Sequence, residues 1–191
     1  ESSAASDVYK RQLKHGLISE EGHWAELMTF DMDHPDYGKL QQLVGESVQI
    51  KERIVAQDPF EQGIRKALNL GHTIGHAFES FALEREAPVL HGYAVAWGMV
   101  CELYLAHQKT GFPTDKMRQT VQFIKENYGK LAFNCRDYDR LYEFMKHDKK
   151  NAAAGMINFT LLGGIGDIRI NQTATKEEIN EALDFYCETM G

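Results

Sequence analysis

Two stretches of this chain, LNLGHTIGHAF (68–78) and HGYAVAWGMV (91–100), carry glycine and alanine where a core helix ordinarily carries large side chains. Gly71 and Gly75 stand one helical turn apart in the first, and Gly92, Ala94, Ala96 and Gly98 thin the second. Each glycine costs a helix roughly 1 kcal/mol against alanine. What it allows in return is close approach of another backbone. The connection Glu84–Val89 is short, so the two helices are predicted to be antiparallel neighbours. A tightly packed helix pair in the middle of the chain constrains everything around it.

Most of the remaining sequence has helical periodicity. Ser19 is expected to cap a short helix running to Phe30. After His34-Pro35, a long amphipathic helix spans Tyr37 to Ala56, with Leu40, Leu43, Val48, Ile50 and Ile54 as its apolar residues, and Asp58-Pro59 ends it. A third helix is predicted from Phe60 to Leu83 and a fourth from Leu90 to Lys109, closed by Thr110-Gly111. The fifth starts at Pro113 and runs to Asn127; the sixth covers Tyr138 to His147. The period then changes. Met156–Leu162 and Asp167–Ile170 read as strands joined through Gly163-Gly164-Ile165-Gly166. Thr175 and Glu178 form a capping box for a last helix ending at Met190. The fold class is mainly α: a multi-helical domain with one small β-hairpin near the C-terminus. The first twelve residues, ESSAASDVYKRQ, show neither period. They are read as a non-native or disordered stretch, with residues 13–191 as the helical domain.

Charge and apolar runs exclude several function classes. The net charge is −7, so no basic field exists to attract nucleic acid. The longest apolar run, Ala94 to Ala106, is interrupted by Glu102 and is too short to span a bilayer. The three cysteines, Cys101, Cys135 and Cys187, are far apart and odd in number, which fits a reducing cytoplasm.

On a continuous third helix, Arg65, Asn69, His72, His76 and Glu79 share one face. Ile64, Leu68, Gly71, Gly75, Phe78 and Ala82 adjoin it. Histidines at i and i+4 can grip one divalent ion. His91 opens the neighbouring helix and is expected to reach the first pair. Lys14, Lys51, Arg65, Lys149 and Lys150 supply cations, the last two in HDKKN between the sixth helix and the hairpin. A divalent metal flanked by such groups suits an enzyme acting on a small, oxygen-rich, phosphorylated anion.

These residues resemble the 3-dehydroquinate synthase family. The resemblance lies in LKHGLIS (13–19), Lys51, DPFEQGIR (58–65), LNLGHTIGHA (68–77), HGYAVA (91–96), DKK (148–150) and the hairpin Gly164-Ile165-Gly166. Their order and spacing run over nearly the whole chain from Leu13. The resemblance implies zinc or cobalt held by His72 and His91. It gives His76 to substrate or proton transfer, which displaces the simple i,i+4 pair. It implies substrate contacts from Lys14, Lys51, Arg65, Asn69 and one of Lys149 or Lys150, with Asp58 and Glu61 as acidic neighbours. The family's third metal ligand is a glutamate three residues before Lys14, where this chain has Arg11. A second departure is Tyr93, where a glutamate commonly follows the HG pair.

The resemblance also implies a reaction. It converts 3-deoxy-D-arabino-heptulosonate 7-phosphate to 3-dehydroquinate with loss of phosphate, in the shikimate pathway of aromatic amino acid biosynthesis. NAD is the redox cofactor and is bound mostly by a separate N-terminal domain. No glycine-rich strand–helix unit of that kind is visible here, so the chain is expected to be the second domain alone, inactive by itself, and part of a cytoplasmic homodimer when full length. Rival readings are another sugar-phosphate cyclase, a metal-dependent polyol dehydrogenase, or a non-enzymatic helical interaction domain whose histidines are merely packed.

Overall fold

The computed structural model describes Tyr9, residues 12–148 and residues 155–191; Arg11, Lys149 and Lys150 lie outside the described residues. The chain opens with α1 (12–18) and continues through α2 (Glu21–Met28) and α3 (Tyr37–Gln57). A 3-10 helix (Ile64–Asn69) leads into α4 (His72–Glu84) and α5 (His91–Thr110). Then follow α6 (Thr114–Tyr128), α7 (Tyr138–Asp148), β1 (Met156–Gly164), β2 (Asp167–Thr175) and α8 (Lys176–Met190). This is the mainly helical class with one hairpin that the periodicity predicts.

α5 is the centre of the packing. Its residues from Ala94 to Ala106 are buried except Tyr104, and it packs against α4, α6, α8 and β1. A helix apolar on all sides has to be surrounded in this way. Its small residues set how near α4 can come. A Cβ placed on Gly98 would collide with the Gly71 carbonyl oxygen and lie 2.5 Å from the Gly75 nitrogen. One placed on Gly75 would lie 3.0 Å from the Val95 Cα. The antiparallel pair foreseen from the small residues is therefore the tightest helix contact around the site.

The hairpin is two-stranded and antiparallel, running from Met156 opposite Thr175 to Gly164 opposite Asp167. Both strands extend further than the sequence suggests. β2 continues past Ile170 to Thr175 across a bulge: Asn171 takes a left-handed conformation, φ 55°, where the pairing shifts between Phe159 and Leu161. α8 carries the expected capping box: the Glu178 N–H donates to the Thr175 hydroxyl at 3.2 Å, and the Thr175 N–H to Glu178 at 3.0 Å.

Two helix assignments need correction. Ser19 does not cap α2. Its hydroxyl donates to the Gly16 carbonyl at the end of α1, and Glu20 is the N-cap, without a side-chain bond. More important, Phe60–Leu83 is not one helix. Asp58 accepts backbone N–H groups from Gln62 at 3.0 Å, Gly63 at 2.7 Å and Arg65 at 3.1 Å, which folds 58–63 into a loop. These bonds hold its carboxyl below the usual carboxylate range. The 3-10 helix then ends at Leu70, Gly71 adopts φ 80°, and α4 begins at His72. The five-residue polar stripe is thereby divided. His72, His76 and Glu79 stay on one helix, while Arg65 and Asn69 approach on a separate turn.

From the stretch 1–12, Tyr9 and Gln12 are helical and buried. Tyr9 stacks on Phe30 with ring centroids 5.0 Å apart, and its hydroxyl donates to the Leu27 carbonyl. Among the described residues, no helix is long and apolar enough to cross a membrane.

Candidate metal centre

α4 brings His72 and His76 together because they are four residues apart on one helix. α5 starts with His91, and the short turn after α4 places that start beside them. The three imidazoles form a nearly equilateral triangle, with centroid distances of 5.4 Å (72–76), 5.3 Å (72–91) and 5.6 Å (76–91). One nitrogen of each ring lies within 4.8 Å of the others, close enough to share one ion.

Each ring is also held from behind. His72 Nδ1 lies 3.1 Å from the Leu70 carbonyl, His76 Nδ1 2.8 Å from an Asp148 carboxylate oxygen, and His91 Nδ1 2.9 Å from a Glu79 carboxylate oxygen. A proton on each Nδ1 satisfies these acceptors and leaves Nε2 with its lone pair. Metal-ligating histidines are oriented in this way, by an acceptor on the other ring nitrogen. His72 is the most shielded of the three. Burial, followed by the nearby positive charge of Lys14, pushes its pKa down to about 4. It is therefore neutral at pH 7, the form that binds a cation. The donor set thus fits a divalent metal of the zinc or cobalt type.

The cationic residues lie around this triangle to different degrees. Lys14 is near enough to His72 to depress its pKa. Lys14 and Lys51 also flank His15, which is buried and paired through Nδ1 with the Ser47 hydroxyl. Arg65 donates to the Pro59 carbonyl at 2.8 Å, and Asn69 donates to Glu61 at 2.9 Å. These two are engaged with the 58–63 loop and not with the histidines. Lys149 and Lys150 directly follow Asp148, which reaches His76, but are themselves outside the described residues.

A family model for the 3-dehydroquinate synthase C-terminal region matches residues 11–151. The chain belongs to the 3-dehydroquinate synthase family. It is 59% identical over 183 residues to the 3-dehydroquinate synthase of Parabacteroides distasonis, covering 96% of this chain and 52% of that protein. It is 38% identical over 166 residues to that of Leptospira interrogans, covering 83% and 45%. The chain spans about half the length of the curated relatives it matches. Among solved structures it resembles 2-epi-5-epi-valiolone synthase from Streptomyces hygroscopicus, which has NAD+ and Zn2+ bound. That match has a TM-score of 0.79 and 20% identity, covering 98% of this chain and 52% of the other. It also resembles 2-deoxy-scyllo-inosose synthase in complex with carbaglucose-6-phosphate, NAD+ and Co2+, with a TM-score of 0.78 and 19% identity, covering 96% and 52%. At such identities the likeness is one of fold.

Two polar partners of the histidines in this member of the 3-dehydroquinate synthase family escape a reading of sequence alone. Asp148 is 72 residues from His76, with no local pattern linking them. The Leu70 carbonyl becomes available only because the chain breaks at Gly71. Glu102 has a sequence signature: it is the acidic residue inside the longest apolar run, and such a residue needs buried partners.

The buried histidines make stability depend on pH. Burial, reinforced by Lys14 and Lys51, lowers the His15 pKa from 6.5 to about 3. Below pH 6.5 the unfolded chain takes up protons at this position that the folded protein refuses, so stability falls as pH falls. The loss begins near pH 6.5 and levels off near pH 3; for His15 it amounts to about 5 kcal/mol over that window. His72 contributes in the same direction down to about pH 4. Urea midpoints measured from pH 7.5 to 4.5 are expected to drop, and less steeply in His15→Asn. A wild-type midpoint that stays level would contradict this.

Proposed function

We propose that this chain supplies the metal- and substrate-binding part of a 3-dehydroquinate synthase acting on 3-deoxy-D-arabino-heptulosonate 7-phosphate. The observation that carries the reading is the triangle of imidazoles, each with Nδ1 held by its own acceptor. His72 and His91 would hold the ion, which when bound would supply Lewis-acid chemistry at the substrate hydroxyl to be oxidised. Lys14, Lys51 and Arg65 neutralise the substrate's phosphate and carboxylate, as does Lys149 or Lys150. Asn69 orients a substrate hydroxyl. His76, held through Nδ1 by Asp148, accepts or returns a proton at Nε2. The described residues contain a single two-stranded sheet and no nucleotide-binding strand–helix unit, so NAD is assigned to the part of the relatives this chain does not span.

Support for the shikimate substrate comes from the 59% identity to a 3-dehydroquinate synthase; the cyclases with other names are likened only in fold. With Arg11 where the relatives' third ligand is expected, zinc affinity is weak, with a Kd above about 1 µM. The chain by itself forms no 3-dehydroquinate. Both points are testable. A chimera joining residues 13–191 to the preceding half of the Parabacteroides distasonis enzyme is expected to release phosphate and form 3-dehydroquinate. A folded, NAD- and zinc-loaded chimera with no turnover would refute the assignment, as would turnover by the present chain alone.

A further inference from the structure

Glu102 lies in the middle of α5 with no exposed surface. Its two carboxylate oxygens each accept one backbone N–H from the start of α4. The Gly71 N–H donates to one at 3.0 Å and the Ile74 N–H to the other at 3.2 Å. We propose that Glu102 is a positioning residue for the metal centre: it locks the first turn of α4, and His72 with it, onto the helix that carries His91. The proposal rests on reading the histidine triangle as a metal site.

The first turn of any α-helix leaves N–H groups without intrahelical partners. A serine, threonine, aspartate or asparagine at the N-cap usually satisfies one of them. Here the N-cap is Gly71, which has no side chain to do so, and the sequence offers no local substitute. The cap comes instead from across the α4–α5 interface, 31 residues further along the chain. His72 is the first residue of α4, and its Nδ1 acceptor, the Leu70 carbonyl, belongs to the same turn. Fraying of this turn would move the ligand and its orienting acceptor together. The Glu102 bonds oppose that fraying, and the Gly98 contact with Gly71 and Gly75 keeps the helices close enough for the bonds to form. Glu102 is eleven residues after His91, about 16 Å along the helix axis, so it acts through α4 and not on the ion.

The test separates metal affinity from stability. In Glu102→Gln the side chain keeps one acceptor oxygen and turns an NH2 group toward a backbone N–H, so one of the two bonds is lost. Cobalt titrations followed by visible absorption are expected to show a Kd raised on the order of 10-fold, with an altered spectrum. Thr120→Val is the control, because it removes the remote buried bond from Trp24 and should leave cobalt binding unchanged. Glu102→Gln with lowered stability but wild-type affinity and spectrum would overturn the proposal. If the variant does not fold, hydrogen exchange on the wild-type protein decides. Cobalt is expected to slow exchange of the Gly71 and Ile74 amides more than that of Glu178 in the self-capped α8, and equal effects would overturn the proposal. Wild-type protein that takes up no cobalt overturns the metal reading, and this inference falls with it.

Discussion

Gly98→Ala is expected to destabilise the protein by about 3 kcal/mol or more, although alanine is the better helix former. Helix propensity favours the change by roughly 1 kcal/mol, but sterics oppose it and are larger. The new Cβ would meet the Gly71 carbonyl oxygen and the Gly75 nitrogen. Both are backbone atoms and cannot swing aside as a side chain can. α4 would have to move away from α5, which separates His72 and His76 from His91 and pulls the Gly71 and Ile74 N–H groups from Glu102. Gly45→Ala provides the contrast. Gly45 is exposed within α3, and a Cβ there meets nothing within 4 Å. That change is expected to stabilise by about 0.5–1 kcal/mol. Urea denaturation of both variants checks the pair, and Gly98→Ala matching the wild type would dispose of the close-contact argument.

The same contact explains how far the sequence could be read. The glycine and alanine positions reveal that two helices meet closely, because no other arrangement justifies weakening both of them. The hairpin and the α8 capping box are equally local, set by turn residues and a threonine–glutamate spacing. The break at Gly71 is not visible in this way. Ile64 to Phe78 keeps a plausible helical period, and what ends the continuity is a set of bonds from Asp58 to Gln62, Gly63 and Arg65, together with the φ of 80° at Gly71. A period describes which residues can share a face; it does not report where the backbone changes direction. For the site, the three histidines were legible as types and spacings. Their acceptors were not, since Asp148 and the Leu70 carbonyl are brought in by tertiary packing and by the break itself. Glu102 entered the sequence reading only as the break in an apolar run; its partners, the Gly71 and Ile74 N–H groups, come from tertiary packing.

Replacing the histidines one at a time is expected to divide the triangle by role. His72→Ala should weaken cobalt binding at least about 100-fold, since it removes a ligand and not merely an orienting partner, whose loss alone costs about 10–100-fold. His91→Ala should do the same. The centroid distances do not separate His76 from the other two, as all three lie between 5.3 and 5.6 Å. The acceptors do differ. His72 is turned by a backbone carbonyl and His91 by Glu79 of the adjoining α4, so both are fixed within the α4–α5 pair. His76 is held by Asp148 at the end of α7, the residue directly before Lys149 and Lys150 in sequence, one of which is proposed for substrate. On the proposed function, His76 would stand between the metal and the substrate. His76→Ala is therefore expected to keep cobalt affinity within about 10-fold while abolishing turnover in the chimera. A loss of cobalt affinity as large as that of His91→Ala would instead make His76 a third ligand, occupying the role that Arg11 cannot fill.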